Sequence, residues 1–279
     1  MFIEDKEYPE HLKNIEDPPQ MLYYTGDISL IKYPLVGIVG TRRCSQYGRW
    51  AASEIAKKVA GCGISVVSGM AEGIDSASHW GCISMDVPTV AVFGTGVDVC
   101  FPSCNQKLYQ RIQKDGLILS EYPPGARGYK KNFPERNRII SALSKSLVVV
   151  EGLPRSGSMI TARLAAEQGR DLFAVPGNIN QPCSLGVNKL IADGAYPILD
   201  IDSVPQLLGI GSTKRKRQLD NLNDDEKMIL GTVIGSPGIN AEELAFKTGF
   251  DISKTAMTAS SLELRSLITA HGQRYYPES

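Results

Sequence analysis

Within the stretch Gly125 to Ser146 the basic side chains Arg127, Lys130, Lys131, Arg136 and Arg138 surround two aromatic ones, Tyr129 and Phe133. Cations spaced along a segment can follow a phosphate backbone, and a ring set among them can stack on a base. A single nucleic-acid strand requires that combination. The residues leave other roles open. Phe133 can anchor its own loop, and Arg136 or Arg138 can pair with Glu135 or cap a strand.

A second group of residues stands where short apolar runs end. Leu35–Gly40 runs into Gly40-Thr41-Arg42-Arg43, with Ser45 and Tyr47-Gly48 following. Ile64–Val67 runs into Ser68-Gly69-Met70-Ala71-Glu72-Gly73-Ile74-Asp75, and Thr89–Phe93 into Gly94-Thr95-Gly96. Leu147–Val150 runs into Glu151 and then Ser156-Gly157-Ser158, and Leu172–Val175 into Pro176-Gly177-Asn178. Glycine lets a backbone approach a ligand, and the first amides of a following helix attract anions. One such tip is ordinary turn chemistry. Five along one edge predict a groove for a polyanion or a nucleotide.

Catalysis has less support. Gly152 to Gly157 has P-loop spacing, but Ser158 and Met159 stand where Lys and Ser/Thr belong, so nucleotide hydrolysis is not expected. No Gly-x-Ser-x-Gly elbow is present. Ser68, Asp75 and His79 contain triad residue types, yet a buried, hydrogen-bonded histidine is the simpler reading of His79. Asp75, Asp98 and Glu121 lie beyond different strands. The six cysteines form no Cys-x-x-Cys pair and the three histidines are far apart, so no metal site and no cofactor is expected.

The elements that position these residues alternate. Helical spacing covers Trp50–Ala60, Ile74–Ile83, Asn105–Lys114, Ile139–Ser144 and Ser158–Gln168, and Leu117–Leu119 adds a further strand. Short, continuously apolar strands between helices predict an α/β fold with a mostly parallel sheet covered on both faces. Ligands of such sheets bind at the carboxyl ends of the strands. This domain is expected over 1–208, with 1–34 as an N-terminal extension. Residues 209–223, holding Lys214-Arg-Lys-Arg217, lack apolar periodicity and read as a basic linker. Residues 224–279 predict three helices (Asp224–Ile234, Asn240–Thr248, Ile252–Leu264) and a hairpin around His271-Gly272, a winged-helix-like pattern.

Composition is that of a soluble globular chain, with 42% hydrophobic and 22% charged residues. The acidic N-terminus does not resemble a signal peptide, and no apolar run approaches bilayer length, so a cytoplasmic protein is expected. Net charge is zero, which excludes a bulk polycation. Neutrality hides segregation. Residues 125–170 carry 9 basic and 3 acidic groups, while 1–34 carry 3 and 7 and 224–279 carry 5 and 8. One narrow basic groove on a neutral or acidic body is predicted.

At these residues the chain resembles the DNA-processing protein A family, also called DprA or Smf. The matching segments are Leu22-Tyr-Tyr-Thr-Gly26, Val39-Gly-Thr-Arg42, Ser68–Asp75, Phe93–Asp98, Ser120–Gly125, Phe133–Ile140, Ser156–Ala162 and Val175-Pro-Gly177 with Gly186–Ile191. The resemblance implies an extended Rossmann-like domain that binds single-stranded DNA without nucleotide hydrolysis. It further implies protection of incoming strands during natural transformation, loading of the RecA recombinase and a homodimer. Arg42 then matches an arginine meeting phosphate, Lys130 or Lys131 the lysine before the aromatic, Phe133 the aromatic that packs a base, and Arg136-Asn137-Arg138 a motif lining the pocket. Thr41, Gly69, Gly94, Thr95, Gly96, Ser156, Gly157 and Ser158 complete the expected DNA-binding set. Glu72 stands where many members carry arginine, and Phe101 replaces a usual tyrosine. The rival readings are a Rossmann-like nucleotide-binding or nucleotide-hydrolysing enzyme, and a DNA-binding regulator led by the C-terminal module.

Overall fold

A computed structural model describes residues 1–210, 222–265, 267–272 and 274–277. The chain divides into two compact units, Met1–Gly211 and Ser212–Ser279. The basic stretch 214–217, and most of the expected linker, lies outside the described residues.

In the larger unit, strands β2 (Leu35–Val39), β3 (Ser65–Ser68), β4 (Val90–Phe93), β5 (Leu117–Ser120), β6 (Ser144–Val149), β7 (Asp171–Ala174) and β8 (Tyr196–Pro197) are parallel. A further strand, β1 (Tyr23–Gly26), pairs antiparallel with β5. The sheet order is β1-β5-β4-β3-β2-β6-β7-β8. It reverses between β2 and β6, so the topological switch point lies between the tips at Gly40 and Val150. The N-terminal extension is built into this unit: β1 joins the sheet, and Tyr8, Leu12, Leu22 and Leu30 are buried in its core.

Side-chain alternation sorts the core into two faces. Val36, Ile38, Val66, Val148 and Val150 pack with helices α2 (Gln46–Gly61) and α3 (Ile74–Ile83). Leu35, Val39, Val67, Leu147 and Val149 pack instead with α5 (Asn132–Leu143) and α6 (Gly157–Glu167). Helix α4 (Gln106–Asp115) buries Leu108, Tyr109 and Ile112 in a separate cluster with Phe93 and Ile118. A four-residue helix, α1 (Glu10–Lys13), and helices α7 (Pro182–Ala192) and α8 (Val204–Leu207) complete the unit.

Two expectations change. The helix expected at Ile139–Ser144 begins seven residues earlier, at Asn132, and Ser144 opens β6. Its first two turns are polar because they border the strand tips, so they carry no apolar periodicity. Pro134 sits in the first turn, where its missing N–H costs no helical bond. Helix α7, which no periodicity argument located, starts with Pro182.

The smaller unit holds α9 (Asp224–Gly235), α10 (Ala241–Thr248) and α11 (Ile252–Leu264) around Ile229, Val233, Leu244, Ala259 and Leu262. Capping boxes start the first two helices: Asn223 with Glu226, and Asn240 with Glu243. Strands β9 (Ile239–Asn240), β10 (Ile268–His271) and β11 (Arg274–Pro277) form an antiparallel sheet in the order β10-β11-β9. The expected hairpin is therefore present, with a short third strand. No helix among the described residues is long and apolar enough to cross a membrane.

His79 is wholly buried in α3. The Thr89 hydroxyl donates to the Val66 carbonyl (2.8 Å), so His79 Nδ1 donates to Thr89 Oγ1 at 2.7 Å. Burial, helped by the positive Arg136, pushes its pKa down to about 3. The unfolded chain takes up a proton near pH 6.5 that the folded unit refuses. Stability should therefore fall as pH drops below 6.5, by up to about 1.4 kcal/mol per unit from this residue. Urea unfolding followed by tryptophan fluorescence, between pH 7 and 5, should show this slope, and H79Q should lessen it. Trp50 and Trp80 both lie in the larger unit.

Candidate nucleic-acid interface

The strand tips are tied together before any ligand arrives. Arg136 is 4% exposed. Its Nη1 donates to the carbonyls of Gly69, beyond β3 (3.0 Å), and of Val92 in β4. Asp75, also buried, accepts from the Gly69 amide at 3.2 Å, and its carboxylate faces the amides of Ala71 and Gly40. Burial raises the Asp75 pKa, against the pull of Arg136. Burial also lowers the Arg136 pKa, to about 10, with nearby Arg42 adding to the effect and Asp75 opposing it. Each charge is costly to bury, and each is held by backbone groups at the carboxyl edge of the sheet.

That anchor orients α5. Three residues before Arg136, on the same side of the helix, Phe133 lies over the tip of β4. A Cβ added to Gly94 would stand 3.0 Å from the Phe133 ring. The side chain of Asn132 closes the same junction, donating to the Gly94 carbonyl at 3.0 Å. Phe133 stays half-buried. The Arg42 guanidinium lies 5.5 Å from its centroid, and the exposed Phe101 ring is 5.1 Å from it. A cation over an aromatic face contributes about 0.5–1 kcal/mol at an exposed site. Lys130 and Lys131 are exposed beside the start of α5. Among the described residues, Arg42, Lys130 and Lys131 take part in no ion pair.

The expected site residues thus divide. Arg42, Lys130, Lys131, Phe133 and Gly157 present surface at the strand-tip edge, and Thr41 and Ser156 are part-exposed there. The Thr41 amide donates to the Glu151 carbonyl at 2.8 Å, and its Oγ1 accepts from the Arg43 amide. Ser156 and Ser158 share a hydrogen bond of 2.8 Å, but Ser158 is buried. Asn137 bridges α5 to α6 through the Gly157 carbonyl (3.4 Å).

Five residues are placed otherwise. Arg136, expected to line the pocket, points into the fold, where its guanidinium bonds the Gly69 and Val92 carbonyls. Arg138 donates to both oxygens of Glu121 (2.7 and 2.9 Å) and to Asp17, so it fastens the N-terminal segment to α5. Thr95 is buried, donating to the Val99 carbonyl, and Gly96 receives the turn at 123–126 through its amide. Gly69 makes room for the Arg136 guanidinium. The small residues at these tips admit protein atoms where the sequence suggested a ligand. Sequence reasoning also missed Phe101 as a ring partner; it is remote from Phe133 in the chain, and only the fold joins them.

The carboxylates beyond the different strands have separate partners. Asp98 accepts from the Gly125 amide at 2.7 Å, Glu121 holds Arg138, and Asp75 holds strand tips. The exposed Glu72 accepts from Cys104. Among the described residues no cluster of His, Cys, Asp or Glu is arranged to hold a metal ion.

A sequence model of the DNA recombination-mediator protein A family matches residues 1–209. The chain belongs to that family. The resemblance read from its motifs is thereby established. The DNA processing protein DprA of Streptococcus pneumoniae is 44% identical over 195 residues, covering 69% of this chain and 68% of that protein. The X-ray structure of the Streptococcus pneumoniae protein superposes with a TM-score of 0.71 at 40% identity, over 74% of this chain and 72% of the other. DNA processing protein A from Helicobacter pylori, a structure concerned with that protein's single-stranded DNA binding mode, superposes with a TM-score of 0.68. It is 34% identical over 72% of this chain and 93% of the other. The family match ends where the smaller unit begins.

Removing the buried arginine tests its anchoring role. R136M should leave the Gly69 and Val92 carbonyls unpaired and Asp75 uncompensated, costing about 3–5 kcal/mol in chemical denaturation. A surface contact would cost well under 1 kcal/mol.

Proposed function

We propose that this chain binds single-stranded DNA along the strand-tip edge of its larger unit. One observation carries the reading: the exposed Arg42 guanidinium stands over the half-exposed Phe133 ring at 5.5 Å, with Lys130 and Lys131 beside them. A base stacks on the ring while adjacent phosphates meet the three cations. A duplex keeps its bases stacked on each other and cannot use the ring. The H. pylori relative, described by its single-stranded DNA binding mode, supports the reading.

We further infer a mediator that acts by binding and not by catalysis. On this reading it shields incoming strands in the cytoplasm, works as a homodimer and passes DNA to the RecA recombinase; the family's description as a recombination mediator supports a role in recombination. The smaller unit we read as winged-helix-like. Its surplus of acidic groups argues against it as the main DNA contact.

An oligonucleotide titration tests the core of this. Wild-type protein should bind single strands, and F133A should weaken binding about tenfold, within the ~1–3 kcal/mol ascribed to one stacked base. R42A should weaken it and flatten the salt dependence. Three phosphate contacts predict a log–log salt slope of about −2 for the wild type. Equal binding by wild type and both variants sinks the reading. Base release from nucleoside monophosphates would place the protein in the rival enzyme class. Deleting residues 224–279 should leave strand binding within about threefold; its loss would favour the regulator reading.

A further inference from the structure

The switch point between β2 and β6 is where folds of this topology seat a nucleotide phosphate, on the first amides of the adjoining helix. Here a side chain of the protein stands in that place. Glu151, 4% exposed, accepts from the Ser45 amide at 2.9 Å and from the Ser45 hydroxyl at 2.5 Å. Ser45 is the N-cap of α2, and its hydroxyl accepts from the Gly48 amide at 3.0 Å. The carboxylate lies so close to this first turn that a Cβ on Gly48 would collide with it. The Glu151 carbonyl also accepts from the Thr41 amide at 2.8 Å. Both ends of the loop that carries Arg42 are therefore fastened to Glu151. The charge is felt around the crevice: it helps raise the pKa values of Cys44, Tyr47 and Cys183, for which burial is the larger cause.

A carboxylate at a helix N-terminus is favourable for the same electrostatic reason that a phosphate is. Two anions cannot share it. We propose that Glu151 is a positioning and specificity-determining residue. Its carboxylate fills the phosphate seat of the switch point, which shuts out mononucleotides. Its bonds to Thr41 and Ser45 hold Arg42 over Phe133, where only a strand lying across the outer edge can use both. The second half of this rests on the single-strand reading above; the first half does not.

Charge and geometry predict opposite effects on strand binding, which makes the proposal testable with two variants. E151Q removes the charge but keeps groups able to bond Ser45. E151A removes both. Each is first checked for cooperative unfolding. Inorganic phosphate and adenosine monophosphate are then titrated calorimetrically, and a single-stranded oligonucleotide by fluorescence anisotropy. Wild type should show no phosphate or monophosphate binding at millimolar concentration, and E151A should bind both at least tenfold more tightly. E151Q should bind the oligonucleotide two- to threefold more tightly than wild type, because a negative charge leaves the basic edge. E151A should bind it about tenfold more weakly, because Arg42 loses its position. If neither variant gains phosphate affinity, the seat is not what Glu151 fills. If E151A binds the oligonucleotide as tightly as E151Q, Glu151 does not position Arg42. Should E151A fail to fold, E151S, whose short side chain also vacates the seat, replaces it in the phosphate titrations, and S45A replaces it for the loop. If wild type ignores oligonucleotides altogether, the single-strand reading fails while the phosphate titrations still decide the first half.

Discussion

The carboxyl edge of the sheet depends on one buried cation. Arg136 enters the fold from α5 and bonds carbonyls at the ends of β3 and β4, while Asp75 holds amides at the ends of β2 and β3 from the other side. Neither ion would be stable in an apolar interior alone. Together with the backbone groups they engage, they turn loose strand ends into a rigid edge. The helix that supplies the arginine also supplies Phe133, so the anchor and the exposed ring share a rigid element. A ring carried on a mobile loop would lose entropy on each encounter with a base.

Charge placement follows the same economy. The chain is neutral overall, and its excess of basic residues between 125 and 170 does two kinds of work. Arg136 and Arg138 are consumed by the fold, one by carbonyls and one by Glu121 and Asp17. Lys130 and Lys131 remain at the surface, joined by Arg42 from a distant segment. A basic edge built from few uncompensated cations gives modest, salt-sensitive attraction to a polyanion, and on the proposed reading the ring supplies the preference for unpaired bases.

The acidic residue at the centre of this edge fits the same logic. Glu151 stands among groups otherwise suited to anions, and it is bonded by the loop and helix start that would bind them. A fold used elsewhere for nucleotides is thereby left with its central seat filled. On the proposed reading, ligand contact moves outward to the loop surface and to α5.

The sequence by itself determined the alternation of strands and helices and the family. Short apolar runs and capping residues act locally, and the motifs that carry the resemblance are contiguous. Periodicity failed where local signals end. The first turns of α5 face polar strand tips, and β1 pairs only with a strand nearly a hundred residues away. The roles within the basic segment were decided by tertiary structure alone. Arg136 and Lys131 are both cations in one motif, and nothing in their types separates a buried anchor from a surface contact. The separation arises because α5 packs one face on the sheet, so helical phase dictates which charges lose water and which keep it.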